Sequence, residues 1–232
     1  MTDAPSEFDQ YAAEYDEALA RGIGISGEDK SYFAEGRVTV LSKSLGAGAA
    51  GSPAVLDFGC GTGHTTPFLL SGLGASRVIG VDISDGQLDV ARRDYGSARA
   101  SFERLDQFQP AGDIDIAFSN GVFHHIPVAE RAAMAAYVFR SVRPDGVFAL
   151  WENNPWNPAT HLVMKRCPFD KNAIMLSPVE AAGLLRAAGF DIVSVRFAFV
   201  FPRALRWLRW IEPLVARLPA GAQFQVLGRR PR

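Results

Sequence analysis

Residues 55–63 read VLDFGCGTG, and this stretch decides the fold. An apolar strand runs straight into Gly59-Cys60-Gly61-Thr62-Gly63, and the pattern TTPFLLSGL from Thr65 opens a helix just after. Glycines let the backbone turn sharply and approach a ligand with no β-carbon in the way. The helix N-terminus beyond them offers free N–H groups and a positive dipole end. Asp82 closes the next strand, VIGVD, about twenty residues on, where a carboxylate can accept both hydroxyls of a ribose. The implied ligand is a nucleoside cofactor lying across the carboxyl ends of the first two strands. A dinucleotide fits poorly. Its fingerprint is G-x-G-x-x-G, whereas the spacing here is G-x-G-x-G, and Asp57 inside the motif would repel a pyrophosphate. No tyrosine of the chain has a lysine four residues later, as a short-chain dehydrogenase would require.

Working outward, the chain alternates strand and helix. RVIGVDIS, ASFERLD and DIDIAFSN read as the second to fourth strands, with DGQLDVARRDY a helix between the second and third. A helix over about 128–142 leads through RPDG into a fifth strand, VFALWE. Ser177 caps and Pro178 opens a helix that Gly189 stops, and FDIVSVRFAFV and AQFQVLGRR supply two last strands. No helical α/β unit separates that last pair, so one antiparallel strand is expected at the edge. The fold class is α/β: a Rossmann-like seven-stranded sheet, mostly parallel, with helices on both faces. Before it, Phe8, Tyr11, Tyr15 and Leu19 recur at helical spacing behind Ser6, and a second helix spans about 27–45. Residues 1–50 therefore form an N-terminal helical cap. Residues 51–232 form the core, with an insertion at about 153–176.

With 232 residues, 48% hydrophobic and 21% charged, the chain is an ordinary globular domain. A formal net charge of -1 gives no global pull toward nucleic acid. Cys60 and Cys167 lie far apart and outside any CxxC pair, so reduced thiols are expected. The acidic start MTDAPSEFDQ has no apolar run, and no stretch approaches the ~18 apolar residues of a spanning helix. A cytoplasmic protein is expected, monomeric or homodimeric.

VLDFGCGTG, VIGVDIS, RLDQF, FSNGVFHHIP and VRPDGVFAL, in this order and spacing, resemble the class I S-adenosylmethionine-dependent methyltransferases over residues 54–152. LSPVEAAGLLRAAGF extends the likeness, and FDQYAAEYD is similar to the FDxxAxxYD helix of a small single-domain subgroup. The resemblance implies S-adenosylmethionine as cofactor, S-adenosylhomocysteine as product, and a role for each matching position. Gly59 and Gly61, with Cys60 between them, would pack against the methionine and ribose portions. Asp82 would hold the ribose hydroxyls and Ile83 the adenine face. Asp106 would accept from the adenine amino group, with Gln107 beside it, and Asn120 would meet the methionine amino group. Tyr15, with Tyr11, would close over the cofactor from the N-terminal helix.

The expected reaction is methyl transfer to a small-molecule acceptor, with oxygen slightly ahead of nitrogen and carbon. The alternatives are another chemistry of the same cofactor (cyclisation, aminocarboxypropyl transfer or cleavage) or a non-catalytic cofactor-binding protein. There is no basic N-terminal arm and no NPPY or DPPY after strand four, so a nucleic-acid substrate is not expected. Because the leaving thioether is already activated, most of the catalysis can be alignment. A base is needed only when the nucleophile must shed a proton, a task that suits a histidine. His124 and His125 are the candidates, for proton transfer by one of them or for lining the cofactor pocket. Adjacent side chains point in different directions, so the pair is a poor chelate and no metal is expected.

The acceptor pocket is expected from the N-terminal helices and the proline-broken segment after strand five, with Tyr11, Glu152, Asn153, Asn154, Trp156 and His161 as candidates. Finally, residues 203–218 carry Leu205, Leu208, Ile211, Leu214, Val215 and Leu218 at helical spacing, beside Arg203, Arg206, Arg209, Trp207 and Trp210. Core packing with snorkelling arginines is the first reading of this stretch; contact with an anionic membrane, a lid or a dimer seam are the others.

Overall fold

The computed structural model describes residues 15–46 and 51–232, with side chains from residue 19 onward. The strands are β1 (Ala54–Phe58), β2 (Arg77–Asp82), β3 (Ala100–Arg104), β4 (Ile114–Asn120), β5 (Val142–Asn153), β6 (Asp191–Ala198) and β7 (Gln223–Arg229). The helices are α1 (Tyr15–Ile23), α2 (Lys30–Leu45), α3 (Thr66–Gly72), α4 (Asp85–Tyr95), α5 (Arg131–Ser141), α6 (Pro158–Arg166), α7 (Pro178–Ala188) and α8 (Glu212–Val215). All seven strands form one sheet in the order β3-β2-β1-β4-β5-β7-β6. Strands β1 to β5 pair in parallel, and β7 runs antiparallel to both of its neighbours. The antiparallel pair does sit at one edge, but the reversed strand β7 is inserted inside it, and β6 is the edge.

Alternation along the strands sorts side chains between two layers, because successive residues point to opposite faces. Leu56, Phe58, Ala117, Phe148 and Leu150 face α5 and α7, meeting Ala135, Val138, Ala182 and Leu185. Val55, Phe118, Val147, Ala149 and Trp151 face the other way, onto Val38 and Leu41 of α2 and Leu69 of α3. The second N-terminal helix thus packs directly on the sheet through Val38 and Leu41. Local signals agree with the packing. Asp29 caps α2 through Tyr32 N, Ser177 and Glu180 form a reciprocal capping box on α7, and Gly189 ends that helix at φ 110°. Between β1 and β4 the winding of the sheet reverses, and a crevice opens at the carboxyl ends of these strands, where such sheets bind ligands. Among the described residues, no helix is long and apolar enough to cross a membrane.

Candidate active site

The glycine loop is pinned at that crevice. Gly59 N and Cys60 N both donate to Val81 O, at 2.8 and 3.1 Å, so the loop is stitched to the end of β2. Gly59, Gly61 and Gly63 all have positive φ (73°, 53° and 76°), which favours glycine. A Cβ at Gly59 would also overlap Val122. Asp82 takes the Gly61 N–H on one oxygen (2.8 Å) and the Ser84 N–H on the other (3.0 Å). One carboxylate therefore sets the loop and faces the ligand crevice. Beside it Ile83 is 50% exposed, an apolar side chain with an open face. Cys60 turns its thiol away, toward the Leu88–Phe102 cluster; only its backbone belongs to the loop.

Asp106 is occupied by a guanidinium that sequence reading missed. Arg104 reaches Asp106 (3.1 Å), Asp85 (2.7 Å) and the Ile83 carbonyl (3.3 Å), and holds the Asp106 carboxyl below the usual range. Gln107 is exposed next to it. At the end of β4, Asn120 Oδ1 is buried with no hydrogen-bond partner. Tyr11 lies outside the described residues, as does the side chain of Tyr15. An orphaned acceptor at Asn120, a glycine cradle, a carboxylate at Asp82 and an apolar face at Ile83 fit the ammonium, ribose and adenine of S-adenosylmethionine.

The two histidines do not diverge. Their ring centroids are 4.2 Å apart and both address Asp170 Oδ1, His125 Nε2 at 3.3 Å and His124 Nε2 at 3.6 Å. The expectation that the two adjacent side chains point in different directions is corrected. The reason is a tight turn at 121–126, where Gly121 has φ 67°, which swings both rings to one side. Behind them, buried Glu152 accepts from His124 Nδ1 at 2.6 Å and from Phe123 N at 2.8 Å. Burial works against a charge on His124, but Glu152 and Asp170 outweigh it and raise the imidazole to about 10. Asp170 is held below the usual carboxylate range: burial opposes ionisation, and His124 and His125 prevail. One ligand atom each of His124, His125 and Asp170 lies within 4.8 Å of the others, the reach of one cation. Arg131 ties the turn to the insertion, donating to Ile126 O (3.0 Å) and Ile174 O (2.6 Å).

Beyond Asn120 and Gly121 a cavity of about 310 Å³ opens, with His124, His125 and Asp170 in its lining. Its walls are Ile23, Phe33, Val163, Phe199 and Phe201, from α1, α2, α6 and the segment after β6. Lys30 and Arg37 also line it; Arg37 donates to Gln223 (3.0 Å), which in turn donates to Asn153 (3.2 Å). Of the five described residues expected to meet the acceptor, Tyr11 being the sixth and undescribed, Asn153 alone is in the lining. Glu152 stands behind His124. Asn154 is spent on Pro219 O, Gly221 O and Trp156 N, holding the turn into α6. Trp156 packs on Phe197, and His161 bonds Pro155 O at 2.7 Å; both lie off the cavity. Asp170, Lys30 and Arg37 were missed because nothing in their spacing marks them.

A methyltransferase-domain family model matches residues 55–146. Trans-aconitate 2-methyltransferase of Methylobacterium nodulans is 28% identical over 219 residues, 85% of this chain and 83% of that protein. The protein of the same name from an Azoarcus species is 31% identical over 114 residues, 49% of this chain and 44% of that protein. The match thus spans less than half of that relative's length. The crystal structure of an S-adenosylmethionine-dependent methyltransferase from Mesorhizobium loti superposes with a TM-score of 0.60 at 20% identity, over 82% of this chain and 96% of that one. The glycine loop, the sheet order and these relatives together support a class I S-adenosylmethionine-dependent methyltransferase.

Proposed function

We propose that the protein methylates an oxygen of a small, largely apolar acceptor held in the cavity beyond Asn120. The observation that carries this reading is the cavity itself: about 310 Å³ with aromatic and aliphatic walls, His125–Asp170 on one side and Lys30, Arg37 and Asn153 also in its lining, next to the cofactor crevice. Such a space supports an acceptor rather than a cofactor turned on itself. When bound, S-adenosylmethionine supplies a methyl group on an activated sulfonium. The chain does the rest. Asp82, the glycine loop and Asn120 hold the cofactor, and the apolar walls exclude water and align the acceptor. His124, clamped as an imidazolium between Glu152 and Asp170, is a positioning residue and not the base. His125, 18% exposed, takes the acceptor proton while Asp170 orients its ring.

A second reading is favoured by Lys30 and Arg37 in the lining and by the trans-aconitate methyltransferase relatives: a carboxylate acceptor, which needs no base. Labelled methyl transfer to a panel of phenols, alcohols and trans-aconitate separates the two. For a hydroxyl acceptor, His125→Ala is expected to lower kcat by about 10²–10⁴. For a carboxylate the loss stays within several-fold. Cofactor binding is tested first by titration calorimetry. Asp82→Ala should weaken S-adenosylmethionine by roughly 100-fold, the loss of two hydrogen bonds to a charged acceptor. If the wild type binds neither this cofactor nor S-adenosylhomocysteine, the reading is wrong.

A further inference from the structure

Residues Arg203–Ile211 form two 3₁₀ segments joined across a kink at Leu205, between Pro202 and α8. The winding matters, because 3₁₀ geometry has three residues per turn and eclipses side chains at i and i+3. After the kink it sorts the sequence into three lines: Arg206 and Arg209; Leu208 and Ile211; Trp207 and Trp210. The aliphatic line holds Leu208 and Ile211 half-buried against the protein. The tryptophan line faces out, with Trp207 68% and Trp210 71% exposed, and Leu214 continues it at 76%. The packed-in helix expected from the sequence is therefore corrected: no residue of 203–215 is buried.

This ridge is fastened, not loose. Arg209 reaches Glu28 at 2.8 Å and stacks 4.5 Å from the Tyr32 ring centre, while Glu212 accepts from Phe201 N at 3.1 Å. Glu212 is the one acidic residue between 199 and 220, against Arg203, Arg206, Arg209 and Arg217. With Glu212 and Arg209 turned inward, the outer face carries cations beside indoles. Arg206 and Arg217 are exposed and enter no ion pair among the described residues. The face also adjoins the rim of the cavity, since Pro202 and Ile25 are exposed and line it.

We propose that the 203–218 ridge is a docking surface for an anionic lipid bilayer, which seats Trp207, Trp210 and Leu214 at the headgroup boundary and turns the cavity rim toward the lipid. Indoles with an apolar body and one N–H favour that boundary, and the arginines meet the negative surface. A second copy of the chain is the poorer occupant, because it would oppose one row of arginines with another. The proposal does not rest on which acceptor is methylated, and its test needs none.

The test is co-sedimentation of the full chain with vesicles of phosphatidylcholine alone and of phosphatidylcholine mixed with phosphatidylglycerol, together with tryptophan emission. Binding is expected to mixed vesicles at least ~10-fold more tightly than to neutral ones, with a blue shift, and to weaken with added salt. Arg206→Gln/Arg217→Gln should bind roughly 30-fold more weakly, and Trp207→Ser/Trp210→Ser should lose the blue shift and at least ~10-fold in affinity. Both should keep wild-type S-adenosylmethionine affinity and Tm. Failure of the wild type to bind mixed vesicles while it still binds the cofactor overturns the proposal and leaves the proposed function standing. So does equal binding to both vesicles, or a dimer in light scattering that the tryptophan variant dissolves.

Discussion

Glu152→Gln is expected to lower the unfolding free energy by about 3–5 kcal/mol at pH 7, a Tm fall on the order of 10 °C for a domain of this size. The carboxylate is 1% exposed and meets two donors, His124 Nδ1 and Phe123 N. Glutamine keeps the shape and one acceptor but removes the charge that keeps His124 protonated. The pH dependence separates this from simple packing loss. A histidine raised from 6.5 to about 10 contributes stability that is fully present below pH 6.5 and is lost as pH climbs toward 10. Denaturant unfolding of the wild type should therefore weaken between about pH 7 and pH 10. The variant should show a much flatter profile over the same range. A slope equal to that of the wild type would mean that Glu152 does not hold the proton.

Asp57→Asn is expected to do the opposite. Asp57 lies in β1 under the glycine loop, and its Oδ2 is buried without a partner. Burial first, then the Asp82 charge, raise its carboxyl from 3.8 to about 7, against the pull of Arg37. A raised carboxyl makes the folded state bind more protons than the unfolded one between those two values, so stability falls as pH rises through the window. At pH 8 the accumulated deficit is roughly 4 kcal/mol, and an asparagine, already neutral, removes it. Thermal unfolding of the cofactor-free variant at pH 8 should show a Tm higher by about 10 °C, shrinking to nothing near pH 4. The gain should cost affinity, because the methionine end of the cofactor is cationic and loses a buried anion nearby. Calorimetry is expected to show S-adenosylmethionine weakened by about tenfold while the protein is more stable, a trade that functional sites often strike. A variant no more stable than the wild type at pH 8 would show that Asp57 is not held near neutrality.

What the sequence made legible were features whose chemistry is local. The glycine loop, Asp82 at the end of β2, the Ser177–Glu180 box and Gly189 each carry their reason within a few residues. Asp170 could not be read that way. It sits in a proline-broken insertion with no period, and only the fold of that insertion brings it to His125. Asn154, Trp156 and His161 looked suited to an acceptor by residue type, yet Asn154 has its side chain committed to turning the backbone into α6. The tail was misjudged on period: a 3.6-residue repeat puts its tryptophans partly inside, whereas the three-residue repeat that forms turns them out. Strand position was also out of reach, because the pairing of β7 with β5, from Asn153–Gln223 to Val147–Arg229, joins residues far apart in the sequence.

That pairing has a consequence for how the chain acquires its structure as it is made. β6 has one neighbour, β7, and β7 is synthesised after it. Chains grow from the N-terminus at about 5–20 residues per second, so β1 to β5 can zip together while β6 waits with both edges open. For that interval a nascent chain shows two unpaired seams, the outer edge of β5 and the whole of β6, and unpaired seams are where foreign strands add. Residues 223–229 pair with β5 and with one side of β6 at once, which leaves only the outer edge of β6 open. A chain cut just before residue 223 would keep both seams, and is expected to aggregate where the full chain, with its last strand seated between two that are already waiting, does not.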